Sequence, residues 1–387
     1  MKRSYLVPRL EGFETTVFSE MSRLAVAHGA INLGQGFPDE DGPSVILEAA
    51  QQAIRDGFNQ YPPGSGVPSL LDAIAAHQQR FYGITIDPAT EILVTAGATE
   101  AIAATILALC DAGDEVVTFE PYYDSYAATI ALAGAGRQVV PLRPPDWRFD
   151  PDELERAVTP RTRLILLNSP HNPTGHVFSD LELAKVAQVC LEHDLLAVTD
   201  EVYEHLVFEG RHVPLSTLDG MAERTITISS AAKTFAVTGW KIGWLSGPAQ
   251  IVSAIRTVKQ FLTFASGTPF QHAIAVGLGL GDDTFAAVRD GMQARRDRLC
   301  DGLGKLGWTI YSPEATYFVT VDTRSLGYSD GWEFCRSLPP VYGVAAVPTE
   351  VFYDDREAGR HLVRFAFCKR LEVLDEALER LARLPVT

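Results

Sequence analysis

Positive charge is scarce in this chain. Its 33 lysines and arginines face 49 acidic residues, for a net charge of −16. Nucleic acid and an anionic membrane surface are repelled on average, so neither is expected as a partner. Any anionic ligand must be met by locally placed cations. Long apolar runs are also missing: none approaches the roughly 20 residues that span a bilayer. The start, Met1-Lys2-Arg3-Ser4-Tyr5, carries two cations, but Arg9, Glu11 and Glu14 interrupt any signal-peptide core. Cysteine is sparse. Cys110, Cys190, Cys300, Cys335 and Cys368 are scattered and odd in number. That fits reduced thiols in a cytoplasmic protein better than a disulfide framework. The nine histidines have no metal-ligand spacing; Pro173 and Gly175 separate His171 from His176, and no metal is expected. The Thr95–Ala101 junction holds neither a P-loop nor Gly-x-Gly-x-x-Gly, which leaves ATP and NAD poorly supported.

What is present is a chain long enough for a large core and two domains: 387 residues, 46% of them hydrophobic. Seven short apolar segments read as strands: Ile92–Ala96, Glu115–Phe119, Gln138–Leu142, Arg163–Asn168, Leu195–Thr199, Thr225–Ser229 and Lys241–Ser246. Several are nearly continuous apolar runs, as in strands covered on both faces. Helical patterns such as Thr99–Cys110 and Asp180–His193 separate most of them. The alternation predicts an α/β domain with a mostly parallel sheet. After about Gly281 a charged helix, Asp282–Leu306, leads into mixed helices and strands at Trp308–Tyr311, Tyr317–Val321, Val344–Val347 and Leu362–Phe367. The expected division is a large α/β domain over 44–281 and a smaller α+β domain from 1–43 plus 282–387. The N-terminal part contributes a helix, Thr15–His28.

Lys233 stands among Ala231, Ala232, Thr234 and Phe235, with Ser230 three positions before it and Lys241 eight after. Most lysines lie on the surface. Small neighbours, however, leave room for a flat ring, and such an amine can form a Schiff base with an aldehyde cofactor. The hydroxyl and the second ammonium can hold a phosphate. Asp200 directly follows an apolar strand, at the edge where open α/β sheets bind ligands. It can pair with a pyridinium nitrogen, or merely cap the next segment. Tyr203 can reach the same ligand. Asn172 lies in a Pro/Gly-rich turn after another strand, and its amide could donate to a phenolate oxygen. Ala98 and Thr99 open a helix, whose free N–H groups suit a phosphate; plain capping is the alternative. Arg364, in the apolar strand Leu362–Phe367, needs an anionic partner, either a ligand carboxylate or an internal salt bridge.

Together these segments resemble the fold-type I pyridoxal phosphate (PLP)-dependent aminotransferases, in their kynurenine/methionine aminotransferase branch. The resemblance runs along the chain: Asn32–Asp39, Asn59-Gln60-Tyr61, Glu120-Pro121-Tyr122-Tyr123, Asn172–Gly175, Asp200–Tyr203, the Lys233 segment and Val363-Arg364-Phe365. With Thr15–Phe18 and Asp39–Pro43, it resembles most the actinobacterial-type members assigned as N-succinyldiaminopimelate aminotransferases. It implies a PLP transferase fold with a mostly parallel seven-stranded sheet. By position it implies Lys233 as Schiff-base lysine and proton shuttle, and Asp200 on the pyridine nitrogen. Asn172 and Tyr203 would hold the phenolate oxygen, and Tyr123 would stack on the ring. Ala98, Thr99, Ser230 and Lys241 would hold the phosphate. Tyr61 would reach that phosphate from the partner in a homodimer. Arg364, Asn172 and Gly36 would take the substrate α-carboxylate, with Phe18 in the side-chain pocket. Tyr122, Phe261 and Phe264 are further candidate pocket walls. Lys241 replaces the arginine of many members, and Thr99-Glu100 replaces the Tyr-Gly of animal kynurenine enzymes.

The implied reaction is a ping-pong transamination to a 2-oxo acid such as 2-oxoglutarate. The donor would be N-succinyl-LL-diaminopimelate, methionine, kynurenine or an aromatic amino acid. A PLP-dependent cysteine-S-conjugate β-lyase, which shares the same carbanion chemistry, is the alternative.

Overall fold

The structure is a computed structural model and describes residues 5–13 and 16–384. The two early cations at Lys2 and Arg3, Glu14, and the expected helix start at Thr15 lie outside the described residues. The first long helix, α1, runs Val17–His28 with Thr16 as its N-cap, and Gly29 closes it at φ +57°. Glycine suits that left-handed position, where a Cβ is penalised.

Seven strands form the central sheet: β1 (Ile92–Thr95), β2 (Glu115–Glu120), β3 (Gly136–Pro141), β4 (Thr162–Asn168), β5 (Leu196–Asp200), β6 (Thr225–Ser230) and β7 (Gly243–Ser246). They match the seven expected segments to within a few residues at each end. The spatial order is β1-β7-β6-β5-β4-β2-β3. All pairs are parallel except those made by β7, which runs against both neighbours. Val116, Val117, Leu164, Ile165, Ala197, Val198, Ile226 and Ile228 are fully buried, so helices cover both faces. Helix α2 (Ala98–Leu109) follows β1, α3 (Asp124–Ala133) follows β2, and α4 (Asp180–Glu192) precedes β5. A capping box between Ser179 and Glu182 starts α4.

Register decides where the chemistry gathers. Asn168 pairs with Asp200, and Asp200 with Ile228, across parallel strands. Ser230 and Thr95 both face Gly243 at the start of β7. The carboxyl ends of β1, β4, β5 and β6 therefore meet the amino end of β7 at one edge.

A second sheet is antiparallel: β8 (Thr309–Tyr311), β9 (Phe318–Asp322), β10 (Val347–Pro348) and β11 (Leu362–Ala366), in the order β10-β11-β9-β8. Here one expectation needs correction. Val344–Val347 is not one strand. Val344 and Ala345 pair in parallel with Ile31 and Asn32, whereas Val347 and Pro348 pair with β11. The chain changes sheets at Ala346. Among the described residues no helix is long and apolar enough to cross a membrane.

Candidate active site

At that sheet edge a cavity of about 260 Å³ opens, with Lys233, Asp200, Asn172 and Arg364 in its wall. Asp200 ends β5 and is buried. Its Oδ2 accepts a 2.6 Å hydrogen bond from the Tyr126 hydroxyl, on α3. Its Oδ1 is buried with no partner among the described residues. Burial pushes the Asp200 carboxyl up to about 6, against the opposing pull of Tyr126, the Val202 N–H and the Lys233 charge. A buried carboxylate oxygen with no donor is costly. It is a ready acceptor for a cationic ring N–H, which is the demand a pyridinium makes. Plain capping leaves that oxygen unexplained.

Lys233 sits in a single helical turn, Ala231–Thr234, directly after β6. Its Nζ lies 5.4 Å from the Tyr317 ring centre and 5.9 Å from that of Tyr203. Burial lowers the amine to about 8, and the Arg364 and Lys241 charges add to the shift; Cys368 and Asp200 oppose it. Such an amine loses its proton near neutral pH, as a nucleophile and base requires.

Arg364, on β11, is 1% exposed. It donates from one terminal nitrogen to Asn172 Oδ1 at 2.9 Å and from the other to the Gly34 carbonyl at 3.2 Å. Its Nε is buried without a partner among the described residues. The guanidinium carbon stands 3.8 Å from the Phe318 ring centre. No described carboxylate pairs with it, so the internal salt bridge is not what holds this cation. Burial lowers its pKa to about 10. A guanidinium facing a cavity with no counter-ion is a carboxylate receiver.

Asn172 is oriented from two sides. Its Oδ1 is held by Arg364, and its backbone N–H donates to Asn168 Oδ1 at 2.7 Å. Asn168 in turn donates to the Asp200 carbonyl. The Asn172 amide nitrogen remains for a ligand acceptor.

The phosphate end rests on close backbone approach. Gly97 precedes α2 at φ +76°. A Cβ there would stand 3.3 Å from Lys241 Nζ, and one on Gly243 would stand 2.6 Å from the Gly97 carbonyl carbon. The α2 N-terminus, Lys241 and Ser230 thus converge in the cavity wall. Free helical N–H groups beside an ammonium form an anion site.

A family model for class I and II aminotransferases matches residues 28–381. The chain belongs to that family. It is 54% identical, over 98% of both chains, to the probable N-succinyldiaminopimelate aminotransferase DapC of Mycobacterium tuberculosis. It is 41% identical to the methionine aminotransferase of Escherichia coli, over 99% of this chain and all of the other. The solved structure of the N-succinyldiaminopimelate aminotransferase from Mycobacterium tuberculosis superposes with a TM-score of 0.96 at 55% identity, covering 98% of this chain and 100% of that one. The protein is a PLP-dependent aminotransferase of fold type I. The residues fit the cofactor: an orphaned carboxylate oxygen for the pyridine nitrogen, a deprotonable lysine, and a cationic helix N-terminus.

The other expected residues of this aminotransferase divide. Phe18, Gly36, Ala98, Thr99, Tyr123 and Tyr203 all line the cavity. The Tyr123 ring stands edge-on to Tyr126, and the Tyr203 ring edge-on to Tyr317. Tyr61 lies outside its own chain's cavity, 83% exposed and edge-on to Phe264. Tyr122 is not a pocket wall. Its hydroxyl donates to Asp354, and Arg137 stacks near its ring. Phe261 and Phe264 are exposed and also lie outside the cavity. The aromatic walls are instead Phe18, Tyr123, Tyr126, Tyr203 and Phe318.

Three contributors were not singled out from the sequence. Tyr126 reads as helix core, Asn168 as a strand end, and Tyr317 as one apolar residue of a strand. A Tyr at i and i+3 across the α3 start could have drawn attention to Tyr126. His77, Glu204 and His205 also cluster, beyond the cavity wall. His77 and His205 are joined at 2.7 Å, and Glu204 accepts from the Tyr82 and Ser229 hydroxyls.

Proposed function

We propose that this aminotransferase takes N-succinyl-LL-diaminopimelate as amino donor and 2-oxoglutarate as acceptor. The observation that carries a carboxylate-bearing donor is Arg364, buried, braced by Asn172 and without a counter-ion. The choice of donor is supported by 54% identity along the whole chain to the probable DapC enzyme. The comparisons speak for amino transfer and give the C–S lyase reading no support.

In this reading Arg364 binds the α-carboxylate, with Asn172 and the Gly36 backbone beside it. Bound PLP supplies an electron sink that makes the substrate Cα–H acidic. Asp200 Oδ1 accepts the ring N–H and keeps that nitrogen protonated. Asn172 and Tyr203 donate to the phenolic oxygen, and Tyr123 covers the ring face. Ala98, Thr99, Ser230 and Lys241 grip the phosphate and fix the cofactor's register. Lys233 Nζ, near neutrality between its two protonation states, takes the Cα proton and hands it on.

Tyr61, exposed outside its own site, is offered to the partner's phosphate in a homodimer. Buried free cysteines support a cytoplasmic enzyme. The same reading divides the chain into a large domain, 44–281, and a small domain, 1–43 plus 282–387.

A second reading has its own support. Among the described residues Lys233, Lys241 and Arg364 are the only lysines and arginines in the cavity wall, and Phe18 and Phe318 flank Arg364. That favours a bulky uncharged donor such as methionine, kynurenine or an aromatic amino acid. Single donors mixed with PLP-loaded enzyme, with the change in the bound cofactor's absorbance followed by stopped flow, separate the two. The proposal expects N-succinyl-LL-diaminopimelate to react at least ~10-fold more efficiently than methionine. The reverse order supports the second reading and overturns the first.

A further inference from the structure

Tyr317 touches both ends of the site, yet no role falls to it so far. It is fully buried at the start of β9. Its hydroxyl donates to the Gly36 carbonyl. Its ring meets Tyr203 at a right angle, centres 5.2 Å apart. The same ring lies 5.4 Å from Lys233 Nζ.

The backbone that aims it is strained. Thr316, immediately before, has φ +71° and is fully buried. A β-branched residue rarely adopts that conformation, so the surrounding structure must hold it there. The Thr316 N–H donates to the Leu206 carbonyl, and its Oγ1 accepts from the Phe318 N–H, which together hold the kink. The kink sends Tyr317 toward Lys233 while Phe318 faces Arg364. Gly36 is equally constrained: a Cβ there would stand 2.6 Å from Phe318 and 3.0 Å from Tyr317.

We infer that Tyr317 is a positioning residue that fixes the Gly36 peptide for the substrate carboxylate while flooring the Lys233 amine with its ring. The inference rests on the reading of Arg364 and Gly36 as the carboxylate subsite. The hydroxyl and the ring have separable duties. The hydroxyl sets the Gly36 carbonyl and with it the direction of the loop. The ring confines Lys233 beside Tyr203.

Tyr317→Phe keeps the ring and deletes the hydroxyl; Tyr317→Leu deletes both. The probe is 2-oxoglutarate added to PLP-loaded enzyme without an amino donor, so binding is read by calorimetry without turnover. Tyr317→Phe is expected to weaken it on the order of 10-fold, the effect of one buried hydrogen bond. Its PLP affinity and the pH midpoint of its cofactor absorbance should stay at the wild-type values. Tyr317→Leu should also move that pH midpoint. Thermal unfolding reports folding of each variant. Arg364→Lys is the reference arm. If Arg364→Lys leaves 2-oxoglutarate binding unchanged, the subsite reading fails. If Arg364→Lys weakens binding and Tyr317→Phe does not, or if Tyr317→Phe shifts the pH midpoint as Tyr317→Leu does, the role given to Tyr317 is overturned.

Discussion

Tyr126 donates its hydroxyl proton to Asp200 Oδ2 at 2.6 Å, and Asp200 Oδ1 is left as the one oxygen of that carboxylate without a partner among the described residues. Tyr126 stays protonated, because burial and the adjacent Asp200 raise its pKa well above the usual tyrosine range. One oxygen is thus engaged, and the other is left for the ring N–H that the proposed function assigns to it. Hydrogen bonds to charged groups contribute about 1.5–3 kcal/mol. Tyr126→Phe should therefore weaken PLP binding by about 10- to 100-fold, measured by equilibrium dialysis, with the fold retained. Unchanged affinity would mean that Asp200 needs no such support.

Arg364 is positioned as a fork, with both terminal nitrogens already committed on one side. Lysine keeps the charge but not the planar geometry. Arg364→Lys should raise KM for the amino donor by about 100-fold and change kcat far less, since it removes a contact made before the chemical step. Steady-state kinetics with both substrates check this. An equal fall in kcat with KM unchanged would move Arg364 out of the binding role.

The Lys233 amine carries a stability signature in the cofactor-free protein. Its pKa is lowered from the model-compound value of 10.5 to about 8. Burying the ammonium therefore destabilises the fold fully below pH about 8, and the penalty fades as pH rises from there toward the unfolded value. Lys233→Met should make the apoprotein more stable than wild type at pH 7, with the gain shrinking by pH 10. Urea unfolding at the two pH values reads it. A gain that is constant or grows with pH contradicts the assignment.

The proposed phosphate cradle depends on two backbones touching. A Cβ on Gly243 would lie 2.6 Å from the Gly97 carbonyl carbon and 2.7 Å from the Ala98 nitrogen, neither of which is a flexible side-chain end. Gly243→Ala should push the α2 N-terminus away from Lys241, lowering stability by about 1–3 kcal/mol. PLP affinity should fall with it. Thermal unfolding with and without PLP is the measurement: the stabilisation by saturating cofactor should shrink in the variant.

Much of this was legible in sequence because the strands that carry the site are continuous apolar runs ending in one polar residue. Asp200 after Leu196–Thr199 is the plainest case, and Lys233 among alanines is another. The same logic could not separate Tyr122 from Tyr123. They are adjacent at the start of α3, and only the turn of the chain there sends one to Asp354 and the other to the cavity. Nor could it find Tyr126 or Tyr317, whose rings satisfy the apolar pattern while their hydroxyls do the work at a distance of many residues. The break at Ala346 was invisible for a similar reason. Val344, Ala345, Ala346 and Val347 are all buried and apolar, and only their pairing partners differ.

The central claim is that the cofactor is carried by Lys233. Borohydride reduction of PLP-loaded enzyme, followed by proteolysis and mass spectrometry, fixes the cofactor to whichever amine holds it. The account predicts a reduced pyridoxyl phosphate group on the peptide containing Lys233 and none on Lys241. A label on Lys241, on another lysine, or on none would contradict it.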